Sequence, residues 1–160
     1  MEDMGIGRAR AMFNGAYNDR RVLISGHTGF KGSWLSFWLS QLGAQVTGYS
    51  LPPPTEPNHY TLLNPKINSI TGDLRDADLL KKVFREHRPE IVFHLAAQAI
   101  VRLSYRDPVE TFSSNIMGTV NLFEAARSSD QVRAIVNITS DKCYENREWL
   151  WGYRENDSLG

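Results

Sequence analysis

The stretch Arg21-Val22-Leu23-Ile24-Ser25-Gly26-His27-Thr28-Gly29-Phe30-Lys31-Gly32 changes its pattern twice within twelve residues. It opens with a short apolar run of β-type side chains, the signature of a buried strand. Three glycines follow at the spacing G-x-x-G-x-x-G. From Phe30 the apolar residues recur at helical intervals: Phe30, Trp34, Phe37, Trp38 and Leu42 define a helix with one apolar face, and Gly43 stops it. Glycine is wanted between a strand and a helix for three reasons. The chain must turn tightly, its backbone must come close to a bound anion with no Cβ in the way, and the helix must lie close against the sheet.

Reading outward, Ala44 to Ser50 is a second strand, ended by the Pro52-Pro53-Pro54 run because proline cannot donate to a ladder. Residues 52–66, rich in Pro and Asn, read as loop. Ile67 to Thr71 is a third strand, closed by Gly72. Asp76 caps a helix in which Leu79–Val83 and Leu80–Phe84 pair at i, i+4, with Pro89 beyond its end. Ile91-Val92-Phe93-His94-Leu95 is a fourth strand. Asp107-Pro108-Val109-Glu110 reads as a capping box with proline at the first helical position, opening a helix that carries Phe112, Ile116, Val120 and Phe123 inward. Val132 to Ile138 is a fifth strand.

Strands that are near-continuous apolar runs, alternating with helices, describe a parallel sheet covered on both faces. Right-handed crossovers then limit the fold to an α/β doubly wound sheet of the dinucleotide-binding, Rossmann type. Residues 1–19 show no period and read as a leader, leaving 20–160 as a partial dinucleotide-binding domain.

Composition narrows the function. The chain has 160 residues, 18 basic and 18 acidic side chains, four His and one Cys. That balance argues against an electrostatic grip on nucleic acid or on an anionic membrane surface. A lone Cys143 forms neither an internal disulfide nor a Cys-rich zinc site, so no metal is expected and a reducing compartment is favoured. Apolar runs are too short to span a bilayer, and Glu2 and Asp3 stand where a secretory signal wants positive charge. The expectation is a cytoplasmic protein.

The glycine loop therefore predicts a dinucleotide held by Gly26, Thr28, Gly29, Phe30, Lys31 and Gly32. In such sites an acid about 20 residues on usually accepts from the ribose hydroxyls. Here the second strand ends Val46-Thr47-Gly48-Tyr49-Ser50 without an acid. No nearby Arg offers to hold a 2′-phosphate, which favours NAD over NADP. Asp73-Leu74 is placed either to contact adenine or to form a plain turn before the Asp76 cap.

Taken with the motifs Gly72-Asp73-Leu74, His94-Leu95-Ala96-Ala97 and Asn115-Ile116-Met117-Gly118-Thr119, the glycine loop resembles the extended short-chain dehydrogenases that act on nucleotide sugars. More narrowly, Gly26 to Leu35, Ala97-Gln98-Ala99-Ile100-Val101-Arg102, Thr139-Ser140-Asp141-Lys142-Cys143-Tyr144 and Glu148 to Glu155 are similar to the CDP-glucose 4,6-dehydratases of deoxysugar biosynthesis. The likeness runs from about Phe13 to Gly160, and Ala99 departs from an expected proline.

The resemblance implies a reaction in three parts. NAD⁺ takes a hydride from sugar C4 of CDP-glucose, water leaves across C5–C6, and the hydride returns to C6. It assigns Ser140 to the C4 hydroxyl, where related enzymes carry Thr, and Asp141 to protonation of the departing C6 hydroxyl. Lys142 stands where related enzymes carry a Glu base, and two roles are open to it: a base if neutral, or a cation beside an enolate if charged. Ser140 and Asp141 could also simply cap the next element.

The resemblance also adds Leu95, Ala96, Ala97 and Asn115 to the cofactor site. Gln98 and Arg102 are substrate candidates, Arg102 for a phosphate or else for a structural acid. Asn115 either orders the active-site backbone or is an exposed helical Asn. Trp149, Trp151 and Tyr153 either wall the substrate pocket or pack together. Cys143 reads as a small strand-end hydrophobe.

Sugar oxidation in this family uses a Tyr-x-x-x-Lys pair. Four residues after Tyr17, Tyr49, Tyr60, Tyr105, Tyr144 and Tyr153 stand Arg21, Pro53, Asn64, Val109, Glu148 and Asp157, none of them lysine. The resemblance puts that pair shortly after Gly160, together with the last strands and a sugar-nucleotide domain. The chain is thus expected to be an N-terminal portion, inactive alone, that leaves Val132–Ile138 as an apolar edge, and to be a homo-oligomer at full length. Two other readings remain: another nucleotide-sugar dehydratase or epimerase, and a non-catalytic NAD-binding module.

Overall fold

A computed structural model describes residues 9–140 and 142–160. Five parallel strands form one sheet in the order β3-β2-β1-β4-β5: β1 Arg21–Ser25, β2 Gln45–Ser50, β3 Asn68–Thr71, β4 Ile91–His94 and β5 Ala134–Asn137. The chain runs outward from β1 to β3, then returns to the other side for β4 and β5. That reversal opens a crevice between β1 and β4 at their carboxyl ends, where open α/β sheets place ligands. The doubly wound arrangement is the one expected from the apolar runs.

Helices α1 Phe30–Gln41, α3 Ala77–His87 and α6 Gly118–Arg127 cross between strands. Asp76 caps α3 as expected, its carboxylate accepting from the Leu79 N–H at 2.9 Å. Two apolar clusters result. Leu23, Tyr49, Leu80, Phe84, Val92 and Leu122 centre the one between α3, α6 and the sheet. Val22, Ile24, Leu39, Leu42 and Val46 centre the one under α1. At the amino end of the sheet, Glu90 ties β1 to β4 by accepting from Arg20 at 2.9 Å and from the Arg21 N–H at 3.2 Å.

Of the three crossing helices, α1 and α6 turn a different face inward than the large side chains suggest. In α1 the buried residues are Gly32, Ser33, Ser36 and Leu39, whereas Phe30 and Trp34 are 68% and 48% exposed and Trp38 is exposed too. Of the five apolar residues in the sequence pattern only Leu42 is buried. The reason is proximity: a Cβ on Gly32 would stand 2.0 Å from the Gly26 carbonyl oxygen, so the first turns of that face hold only small residues, and Leu39 enters further along.

The helix expected from Asp107 divides into α5 Pro108–Phe112, a π-turn Ser113–Met117 and α6. The π-turn inserts extra residues per turn and breaks the i, i+4 register linking Phe112 to Ile116 and Val120. Phe112, Ile116, Val120 and Phe123 are accordingly exposed, and Gly118, Leu122, Ala125 and Ala126 face the core. Gly118 is needed there, since a Cβ would come within 2.8 Å of Leu74 Cβ.

Two short helices lie where no element was expected. Helix α2 His59–Leu63 falls inside the 52–66 loop, with Asn58 Oδ1 accepting from the Thr61 N–H at 2.8 Å. Helix α4 Val101–Arg106 follows the loop after β4. β5 lies at the sheet edge with all its residues exposed, as expected for the last apolar strand of this chain. Within the expected leader, Met12–Gly15 forms a 3₁₀ turn and Phe13 packs edge-on against Trp38 at 5.7 Å; residues 1–8 lie outside the described residues. Among the described residues no helix is long and apolar enough to cross a membrane.

Candidate active site at the carboxyl edge

The glycine loop binds itself to the strands around it. Gly26 takes φ +78°, and a Cβ there would lie 2.8 Å from the Ala96 main-chain nitrogen, so the first glycine of the loop lies directly against the main chain that follows β4. The Gly29 N–H donates to Gly26 O at 3.1 Å, and Gly29 is the residue before α1. Thr28 Oγ1 donates to Leu51 O at 2.9 Å and lies 2.6 Å from Ser50 Oγ, tying the loop to the end of β2. Phe30 and Lys31 stand exposed on the first turn of α1, with Phe30 against the His59 ring at 4.9 Å. This leaves the free N–H groups of a twelve-residue helix over bare backbone, a cradle that side chains do not fill.

His27 points the other way, into the fold. Its ring occupies the space that Gly48 leaves, where a Cβ would stand 2.3 Å from the ring. His27 Nε2 pairs with Ser69 Oγ at 2.7 Å, and Tyr60 meets the ring edge-on at 5.1 Å. Burial pushes the imidazole down to about 4, partly opposed by a hydrogen bond to the Tyr49 backbone.

Beside the loop runs a buried polar chain that sequence reading missed. Ser25 Oγ accepts from the N–H groups of Leu95 and Ala96 at 3.2 and 3.3 Å and lies 2.6 Å from His94 Nδ1. His94 Nε2 lies 2.9 Å from Thr119 Oγ1, which donates to Asn115 O at 2.7 Å. Burial lowers the His94 pKa. The available signal was a polar residue ending each of two adjacent apolar strands, Ser25 on β1 and His94 on β4.

Asn115 sits in the π-turn, and its amide grips the main chain of Gln98. Oδ1 accepts from the Gln98 N–H at 2.7 Å and Nδ2 donates to Gln98 O at 3.0 Å. Of the two readings open for Asn115, this geometry is that of a residue ordering the backbone. The Gln98 side chain is occupied locally, accepting from the Ile100 N–H at 2.6 Å and donating to Thr111 Oγ1 at 3.0 Å. Leu95, Ala96 and Ala97 lie between these anchors, at the crevice. Arg102 is exposed on α4.

Across the crevice, Asp73 and Leu74 follow β3. Tyr49 Oη donates to Asp73 O at 2.6 Å, and burial raises the Tyr49 pKa, keeping it a donor. Asn121 Nδ2 donates to Leu74 O at 3.0 Å. The Arg75 guanidinium beside Asp73 holds its carboxyl below the usual carboxylate range.

Ser140 and Lys142 are exposed beyond the carboxyl end of β5, with the Lys142 N–H donating to Ser140 Oγ at 3.0 Å. Asp141 lies outside the described residues. Cys143, expected as a small strand-end hydrophobe, is exposed and lies six residues beyond the end of β5. Residues 143–160 fold back on themselves: Tyr144 bridges Leu159, and the Glu145 N–H donates to Ser158 O at 2.9 Å. Within that loop Tyr153 stacks on Tyr144 at 5.3 Å and lies 5.3 Å from Trp149, with Trp151 5.7 Å from Trp149. In this arrangement the tail aromatics pack on one another.

A glycine cradle at a helix amino end, set at the switch point of a doubly wound parallel sheet, defines a Rossmann-type dinucleotide fold. Residues 23–150 match the family model described as GDP-mannose 4,6 dehydratase, and the chain belongs to that family. A CDP-glucose 4,6-dehydratase from Salmonella typhimurium is 54% identical over 146 residues, covering 90% of this chain and 41% of that protein. A UDP-glucose 4-epimerase from Thermotoga maritima, solved with UDP-glucose, superposes with a TM-score of 0.76 at 26% identity, over 87% of this chain and 44% of that one. The Thermus thermophilus UDP-glucose 4-epimerase, solved as a complex with NAD, gives 0.72 at 30% identity, over 88% and 44%. The chain thus spans under half the length of these relatives.

Proposed function

We propose that this chain is the NAD-binding, N-terminal portion of a CDP-glucose 4,6-dehydratase. The observation that carries the reading is the crevice itself. Glycine-lined backbone, the amino end of α1 and the Asp73–Leu74 turn all follow the carboxyl ends of strands in one parallel sheet, and Ile138 to Ser140 follow β5 at that same edge. The Salmonella relative carries that name, and the Thermus relative was solved with NAD.

Bound NAD⁺ would supply a hydride acceptor for sugar C4 and, once reduced, the hydride that returns to C6. The chain's own residues do the rest. Gly26, Gly29 and Gly32 allow the backbone to meet the pyrophosphate, and the α1 amino end favours its charge. Thr28, Phe30 and Lys31 flank it, while Leu95, Ala96 and Ala97 form the β4 wall whose position Asn115 sets. Asp73 and Leu74 serve the adenine. Ser140 holds the sugar C4 hydroxyl, and Asp141 gives its proton to the departing C6 hydroxyl. Exposed Lys142 fits the second of its roles, a cation beside the negative charge that builds at C5 when its proton leaves. Gln98 and Arg102 are left to the nucleotide, with Arg102 free to reach a phosphate from exposed α4.

The absence of an acid at the end of β2 favours NAD loosely held, and the lack of a nearby Arg there disfavours NADP. The protein is read as cytoplasmic and homo-oligomeric, binding neither nucleic acid nor membrane, in the deoxysugar chemistry that feeds O-antigen and lipopolysaccharide. The test is a substrate panel on the full-length protein with NAD: CDP-glucose, dTDP-glucose, GDP-mannose and UDP-glucose, read as 4-keto-6-deoxy sugar. Preferred turnover of CDP-glucose supports the reading; equal or better turnover of another nucleotide sugar rejects it.

A further inference from the structure

Arg75 holds both sides of the Asp73 turn together. Its Nε donates to Asp73 Oδ1 at 2.9 Å and to Oδ2 at 3.1 Å, and its own main-chain N–H donates to Oδ1 at 2.8 Å. A second edge of the same guanidinium donates to Glu110 in α5. Glu110 is itself fixed, its N–H donating to Asp107 Oδ1 at 3.0 Å and its Oε1 accepting from Ser114 Oγ at 3.1 Å. The turn's main chain is anchored separately, through the hydrogen bonds from Tyr49 and Asn121.

Counting acceptor positions shows what the clamp leaves open. An ionised carboxylate offers about four lone-pair sites and no donor. Oδ1 is filled by the Arg75 N–H and Nε. Oδ2 takes the terminal guanidinium nitrogen and a weaker share of Nε, so one position on Oδ2 stays available to an outside N–H. A carboxylate held this way accepts from an amino group and repels a carbonyl.

We propose that Arg75, braced by Glu110, is a positioning residue that aims Asp73 as a pure acceptor, so that the turn selects a 6-amino purine and rejects a 6-keto purine. The proposal rests on the cofactor reading above and deepens it. It also links the adenine end of the site to the π-turn, because Glu110 lies on the helix leading into Asn115.

The test is calorimetric titration of the full chain with NAD and with its deaminated analogue, nicotinamide hypoxanthine dinucleotide. The wild type is expected to prefer NAD by about tenfold, the worth of one charge-assisted hydrogen bond. Arg75→Leu should bring the two affinities within about twofold of each other, and Arg75→Lys, which keeps charge without the fork, should fall between. Glu110→Gln, a nearly isosteric change at a half-buried position, should lower the preference part of the way and serves where Arg75→Leu does not fold by circular dichroism. An equal loss of both affinities, with the preference intact, would assign Arg75 a merely structural role and overturn the proposal. A wild type that binds both dinucleotides equally overturns it while leaving the cofactor reading standing. One that binds neither removes the cofactor reading itself.

Discussion

Ser25 and His94 face each other across β1 and β4 at 2.6 Å, and their surroundings fix where every proton sits. Ser25 Oγ already accepts from two N–H groups, so its own hydrogen goes to His94 Nδ1. Thr119 spends its hydrogen on Asn115 O and must accept from His94 Nε2. The imidazole is therefore neutral and protonated at Nε2. Nitrogen NMR of the folded protein should show the Nε2–H tautomer at neutral pH; a protonated Nδ1 would contradict the chain. Ser25→Ala takes the partner from His94 Nδ1 and from the Ala96 N–H, while the Leu95 N–H keeps the Ser25 main-chain carbonyl at 3.1 Å, and should cost about 1–3 kcal/mol in urea unfolding.

Gly48 and His27 occupy a single side-chain volume between them. Gly48→Ala would place a methyl group on the ring and should destabilise the fold by about 1–3 kcal/mol, the usual cost of overpacking. Because His27 belongs to the glycine loop, the same change should weaken dinucleotide binding. Unfolding midpoints and NAD titration on the one variant check both.

The buried histidines also set a pH dependence. His27 has a folded pKa of about 4 against 6.5 unfolded, so between those values the unfolded chain binds more protons than the folded one. Stability is fully present above about pH 6.5 and falls as pH drops toward 4, by roughly 3 kcal/mol from this one residue. His94, lowered as well, adds in the same direction. Urea midpoints measured from pH 7.5 to pH 4.5 should fall, and His27→Gln should flatten the slope; an unchanged slope would remove His27 as its source.

Asn115→Asp keeps the size of the side chain but loses the donor to Gln98 O. Faster amide exchange is expected along Leu95 to Gln98, with a cost of about 1–3 kcal/mol. Exchange confined to the π-turn would show that Asn115 does not anchor the β4 loop.

The sheet was legible from sequence because parallel strands buried by helices read as apolar runs, and Arg21–Ser25 and Ile91–His94 do so plainly. Helix faces were not. Phe30, Trp34 and Phe112 outweigh Gly32, Ser36 and Gly118 in any apolar pattern, yet the core side admits the small residues because α1 lies against the Gly26 backbone and α6 against the Leu74 side chain. The short helices α2 and α4 carry too few residues for a period to show. In the site, the glycine loop was readable because a strand, a tight turn and a closely packed helix follow one another directly in the chain, so its pattern is local. The pairs Ser25–His94, Tyr49–Asp73 and Arg75–Glu110 were not, since each joins residues that only the crossover topology brings together.

The most direct test of the account is where NAD lands. Titrating NAD into the isotopically labelled protein, followed by amide chemical shifts, should give saturable changes at Thr28–Gly32, Asp73–Leu74 and Leu95–Gln98. A folded protein that shows no saturable change at these positions, or changes confined to the Trp149–Tyr153 loop, would contradict the assignment of this crevice.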